Sequence, residues 1–316
     1  TRLVGSEMCI RDSIYEARPN VTSDVSGLCL KSGNAVILRG SSYCLDSNIA
    51  ILEVLQNSLS LNNCNKNIFQ IIESKDRQDT IEFMNLTEFV DLIVPRGGKG
   101  LIQTLVDNSK VPFILDGDGN VHLYIHQDAK KEHIIDIVIN SKVQRPGVCN
   151  ALETLLINSQ IYQDMGSLII EKLLENKVEL FVDETIKEDF SNLNLANESH
   201  YETEFLDLKL AVKVVDSVDQ AIEHIKVYSS GHTEAILTES KEVADTFAKS
   251  IDSSVIFINS STRFTDGEMF GFGSEIGIST QKLHVRGPMG LEALTNERYV
   301  VTGEGTVRAV SYTHLT

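Results

Sequence analysis

Short apolar runs alternate with helix-spaced segments along most of this chain, and that alternation limits the fold more than any other feature. Apolar runs at 35–38, 68–72, 91–94, 111–115, 153–157, 178–182, 208–215, 234–237 and 255–259 have the length and flanking turn residues of buried strands. Between them, 47–59, 80–84, 101–106, 130–139, 160–174, 218–227 and 239–251 place apolar residues at helical spacing. Repeated alternation of strand and helix predicts an α/β fold built on parallel sheets. Residues 28–34 read as a helix end capped by Gly33. Three stretches escape the pattern. Residues 188–199 are polar and rich in asparagine, which reads as surface loop. Residues 261–290 are dense in glycine, hydroxyls and cations, and a long stretch of that kind in a compact domain is usually functional. Residues 299–307 read as two short strands around Gly303 and Gly305.

Composition narrows the class. With 316 residues and 42% hydrophobic content the chain can bury one large or two ordinary cores. A net charge of -17 argues against a general nucleic-acid surface, so an anionic ligand must be held by a few local cations. No apolar run approaches the roughly 20 residues of a membrane helix. The 5 cysteines are scattered, odd in number and without metal spacing, which fits free thiols in a reducing cytoplasm. His122 and His126 lack a third ligand, and the run 116–120 is too short for a calcium loop. The ends, 1–13 and 311–316, continue no pattern and read as non-native flanks, so that native sequence begins near Ile14.

The stretch with most chemistry is 140–150, where a polar, basic segment carries Pro146-Gly147 and then Cys149. The turn presents a thiol at a loop end, and Arg145, four residues earlier, favours a thiolate or an anionic substrate. The plainer alternative is a buried, inert cysteine. Arg39, Ser41 and Ser42 end a strand with a cation and two hydroxyls, which suits a phosphate at the C-terminal edge of an open sheet. Arg96, Gly97, Gly98 and Gly100 form a glycine-rich turn between strand and helix, the arrangement that seats phosphate at a helix N-terminus. Asn20, after Pro19, points a side-chain amide into a site or closes a turn. Arg263, Lys282 and Arg286 together suit carboxylate and phosphate groups, or stand as solvated surface charge.

The segments KSGNAVILRG, VPRGGKG, KVQRPGVCNALETLL, STRFTDG and STQKLHVRGPMGLEAL, with YEARPN before them, resemble the gamma-glutamyl phosphate reductases, also called glutamate-5-semialdehyde dehydrogenases, of the aldehyde dehydrogenase superfamily. The resemblance runs from about Ile14 to Arg308. It implies two Rossmann-like lobes and a small oligomerisation element. The incomplete NADP-binding lobe would occupy 14–127 and lack about a hundred preceding residues. The catalytic lobe would occupy 128–260, and a return segment with substrate and cofactor loops and oligomerisation strands 261–310. By the same resemblance Cys149 is the catalytic thiol, Asn20 the oxyanion asparagine and Arg39 the contact to the adenosine ribose or its 2′-phosphate. Residues 95–100 then lie near the pyrophosphate, and Glu204 contacts the nicotinamide ribose. Assignment of Arg145, Arg263 and Arg286 to substrate is an inference from charge.

What the resemblance implies is acyl transfer followed by hydride transfer. Cys149 attacks gamma-glutamyl phosphate, and NADPH reduces the thioester to the semialdehyde in proline biosynthesis. The implied partners are the substrate, the upstream glutamate kinase and further copies of the chain. Two alternatives stand beside it: another oxidoreductase of the superfamily, or an inactive fragment kept as a binding or oligomerisation module.

Overall fold

The computed structural model describes residues 10–15, 19–115, 117–283 and 285–308. Two parallel sheets and one small hairpin carry the architecture. The first sheet holds β1 (Ile10–Tyr15), β2 (Ala35–Arg39), β3 (Phe69–Ile71) and β4 (Leu92–Arg96), in the order β3-β2-β1-β4. Helices α1 (Asn20–Ser32), α2 (Leu45–Leu61), α3 (Arg77–Phe83) and α4 (Lys99–Asn108) connect and cover it. Alternation along the strands separates two cores. Tyr15, Val36, Leu38 and Val94 face one, with Val21, Val25, Leu28 and Leu52 from α1 and α2. Ile14 and Ile93 face the other, with Phe83 and Leu105 from α3 and α4. At about 25 cal/mol per Å² of apolar surface, a buried residue of this size contributes roughly 2 kcal/mol.

The second sheet is larger. It contains β5 (Val121–Ile125), β6 (Leu152–Asn158), β7 (Glu179–Val182), β8 (Asn194–Leu195), β9 (Lys209–Val215), β10 (Thr233–Leu237) and β11 (Val255–Ile258), in the order β11-β10-β5-β6-β9-β7-β8. Helices α5 (Lys131–Val143), α6 (Ser159–Glu175), α7 (Glu184–Asp189), α8 (Glu198–Glu202), α9 (Val218–Tyr228) and α10 (Lys241–Ser250) fill the connections. One face, with Leu123, Ile125, Leu155 and Ile157, packs beneath α5 and α6. The opposite face, with Tyr124, Leu156 and Ile236, packs against α9 and α10. Strands covered on both sides read as continuous apolar runs, as these do.

The hairpin of β12 (Gly277–Ser279) and β13 (Gly287–Met289) joins the two bodies. Ile276, Met289 and Leu294 enter the core of the first sheet. Ser254, just before β11, donates its hydroxyl to the carbonyl of Ser279 at 2.9 Å. Among the described residues no helix is long and apolar enough to cross a membrane.

The alternation, the parallel sheets and the Gly33 cap, at φ 78, stand as the sequence predicts. Four readings are corrected. The run at 111–115 is not a strand, since Pro112 removes a ladder donor and only Phe113 bridges to Ile93. The true strand is β5, which pairs with β6 and β10; residues 121–125 therefore join the second sheet instead of the first lobe. The supposed loop at 188–199 includes β8 and parts of α7 and α8. Residues 299–307 form no strand, and Tyr299, Val300, Val301 and Val307 are exposed. Strand β1 also begins at Ile10, inside the stretch read as a flank. The other flank residues lie outside the described residues.

Candidate active site

The first sheet offers the C-terminal ends of its strands, and the second offers the N-terminal ends. At the end of β2, the Arg39 side chain folds back on the Gly40 carbonyl at 2.6 Å. Burial lowers the pKa of this guanidinium against the pull of Asp79, and its Nε is buried without a protein partner. Ser41 accepts the Tyr43 amide at 3.3 Å, and Ser42 opens the 3-10 turn that follows. Arg96 ends β4, Gly97 follows, and Gly98 caps α4 in extended backbone. A Cβ on Gly98 or Gly100 would meet nothing within 4 Å. Asn20 is the first residue of α1, and its amide donates to Asp24 at 3.1 Å. Beneath it Tyr15 hydrogen-bonds Thr22 at 2.6 Å, and Thr22 donates to the fully buried Asn48 at 3.2 Å.

Cys149 is half-buried in the turn between α5 and β6. Three segments converge on it. A Cβ on Gly119 would stand 1.7 Å from the Cys149 carbonyl oxygen, so the two backbones are in direct contact. The Gly119 amide donates to Glu204 Oε1 at 2.7 Å. From the return segment, Thr262 donates to the Asn150 carbonyl at 2.8 Å, and Asn150 donates to the Thr265 carbonyl at 2.7 Å. Thr265 continues through Thr233 at 2.9 Å to His232, whose pKa burial lowers to about 4.

The cations divide. Arg263 donates to Gln144 at 2.8 Å, and its charge is disfavoured first by burial and then by Arg145, with Cys149 acting the other way. Arg263 therefore meets the cysteine turn at Gln144, next to Arg145 in the chain. Arg286 and Lys282 belong elsewhere, because both bind Asp252, Arg286 at 2.8 Å. The pooled cluster of Arg263, Lys282 and Arg286 does not form; Asp252 draws two of its members away.

Several residues here escape sequence reading. Gly119 looks like any turn glycine until Cys149 lies against it. Lys142 and Glu153 form a fully buried ion pair of 2.7 Å. Its one sequence signal is a lone carboxylate inside the apolar run of β6.

This is the architecture of a two-lobed α/β enzyme of aldehyde-dehydrogenase-like fold. An acetylating aldehyde dehydrogenase from Geobacillus thermoglucosidasius superposes with a TM-score of 0.74 over 95% of this chain and 76% of its own, at 18% identity. No family model matches the chain. The chain is 50% identical over 295 residues to a gamma-glutamyl phosphate reductase of Thermoanaerobacter pseudethanolicus, covering 93% of this chain and 71% of that one. A Listeria monocytogenes relative of the same name is 49% identical over the same shares. The crystal structure of a gamma-glutamyl phosphate reductase from Thermotoga maritima superposes with a TM-score of 0.92 at 45% identity, over 95% of this chain and 72% of that one. The chain belongs to the gamma-glutamyl phosphate reductase family.

Proposed function

We propose that this chain reduces gamma-glutamyl phosphate to glutamate 5-semialdehyde and phosphate with NADPH, through a thioester on Cys149, in proline biosynthesis. The observation that carries the reading is the packing of Gly119 and Arg263 against the turn that holds Arg145 and Cys149, in a chain half identical to reductases of that name.

The Cys149 thiolate attacks the acyl carbon, the carbon–oxygen bond to phosphate breaks, and phosphate leaves with the electron pair. Splitting one reduction into acyl transfer and hydride transfer lowers each barrier. The Cys149 amide and the Asn20 side chain, turned from Asp24, receive the developing oxyanion. Arg145 and Arg263 hold the anionic ends of the substrate near the thiol. When bound, a nicotinamide cofactor would supply the hydride, and the Cys149 thiolate is the group that leaves the acyl carbon. The orphaned Arg39 Nε, with Ser41 and Ser42, fits the adenosine end with its 2′-phosphate, and the open turn 96–100 fits the pyrophosphate. Glu204 lies beside Cys149 through Gly119, where the nicotinamide ribose would rest. Supply of a labile acyl phosphate by the upstream glutamate kinase, action in the cytoplasm and assembly as a homo-oligomer follow from the same reading.

Cys149→Ser tests it. Reductase activity should vanish while calorimetry shows NADPH binding within about twofold, since that side chain touches the acyl group and not the adenosine end. An active serine variant, or one that has lost NADPH binding with its fold intact, overturns the assignment.

A further inference from the structure

Among the described residues Lys142 is the only lysine or arginine that is fully buried, and it pairs with Glu153, which is equally buried. The pair spans the cysteine turn. Lys142 lies in the last turn of α5, seven residues before Cys149, and Glu153 lies in β6, four residues after it. One carboxylate oxygen, Oε2, accepts the Lys142 ammonium at 2.7 Å, while Oε1 accepts the backbone amide of Leu206 at 3.2 Å. Leu206 is in the left-handed region at φ 52, a strained setting for a branched residue that its surroundings must enforce. Its carbonyl approaches Gly147 in the cysteine turn, where a Cβ would be 3.5 Å away. Two residues earlier, Glu204 holds the Gly119 amide, and Gly119 lies against Cys149.

We infer that Glu153, neutralised by Lys142, is a positioning residue for the chemistry at Cys149: it closes the cysteine turn and, through the Leu206 amide, sets Glu204 and Gly119 against the thiol. This rests on the reading of Cys149 as the nucleophile. Stability is a poor explanation for the pair. Desolvation raises the Glu153 carboxyl to about 7 and lowers the Lys142 ammonium, and apolar residues of equal volume often replace such a pair without loss.

Two conservative variants of the intact chain separate the roles of the oxygen and the charge. Glu153→Gln keeps an oxygen at Leu206 and gives up the charge. Glu153→Asp keeps the charge beside Lys142 and withdraws the oxygen by one methylene. The expectation is that E153D loses about tenfold or more in kcat, with KM for substrate and cofactor within about threefold, and that E153Q stays within about threefold of the parent in kcat. Rates are normalised to the fraction of Cys149 that alkylates, with exposed Cys64 as internal reference. Parental kcat in E153D overturns the inference, as does the reverse order of the two variants or an equal loss in both. Failure of the thiol assignment shows separately, as activity in C149S.

Discussion

Gly119 and Cys149 lie backbone against backbone, so closely that a single methyl on Gly119 would overlap the cysteine carbonyl. Neither atom belongs to a flexible side chain that can swing aside. The chain leading out of the first lobe is thus in contact with the turn that carries the thiol.

Gly119→Ala should therefore displace the cysteine turn or break the Gly119–Glu204 hydrogen bond. We expect at least a tenfold loss of kcat and a destabilisation of about 1–3 kcal/mol, the usual cost of overpacking. Gly117→Ala is the contrast. Its Cβ would meet the Thr280 side chain at 2.7 Å, away from the cysteine turn, so any strain there falls on Thr280 and not on Cys149. Steady-state kinetics and thermal melts on the two variants check the difference, and equal behaviour would refute the contact argument.

Arg39 should decide between NADPH and NADH. Its guanidinium is already partly desolvated, so little further hydration is lost when a 2′-phosphate arrives. A charged hydrogen bond of this kind is worth about 1.5–3 kcal/mol, or roughly ten- to a hundredfold. Arg39→Ala should erode the ratio of kcat/KM for NADPH over NADH by about that factor. An unchanged ratio would move 2′-phosphate recognition to another residue.

The large lobe should lose stability in mild acid. Burial lowers the pKa of His224 to about 2, with His122 and Lys213 adding to the effect, and that of His232 to about 4. Both stay neutral in the fold but protonate near pH 6.5 when unfolded, so the unfolded state binds more protons below that point. Their contribution is complete above pH 6.5 and falls as pH drops, by up to about 1.4 kcal/mol per unit for each histidine. Glu153, raised to about 7, and Asp183, whose carboxyl burial also raises, work in the opposite sense and temper the loss. His224 packs among Tyr201, Tyr228 and His122, and its Nε2 has no partner, so His224→Phe fits the space. Denaturant unfolding at pH 7 and pH 5 should show a flatter dependence in that variant; an identical slope would exclude His224 as the source.

Periodicity made the architecture legible, because strands buried on both faces leave unbroken apolar runs. It failed where polar residues interrupt a buried strand. His122 in β5 is fully buried because Glu234 accepts its backbone amide at 2.9 Å and pairs with its ring at 3.1 Å, a partner 112 positions away that no local pattern reveals. The cysteine turn and the ligand-facing edges announced themselves through Pro, Gly and Arg, whose backbone and charge properties are local. The contacts that assemble the site are not local. Gly119 on Cys149, Glu153 on Leu206 and Asn150 on Thr265 each join distant segments, and the pairing of Arg286 with Asp252, 34 positions away, is equally out of local view.

The final expectation concerns water. Hydrolysis of a thioester needs a general base within hydrogen-bonding reach of the attacking water. The sequence 115–120 contains no glutamate, and Gly119, which lies against Cys149, leaves no room for a side chain there. Asp116 lies outside the described residues, and Asp118 has a short side chain. The carboxylate joined most directly to this backbone, Glu204, already accepts the Gly119 amide. A thioester on Cys149 should then persist until hydride or phosphate reaches it. Run in reverse, oxidation of the semialdehyde by NADP should depend on added phosphate and yield the acyl phosphate. The assay supplies semialdehyde and NADP in phosphate-free buffer and follows NADPH by absorbance. A single turnover at most is expected there, with steady turnover on adding phosphate. Sustained formation of free glutamate without phosphate would show that water is activated, and would identify this chain with hydrolytic aldehyde oxidation.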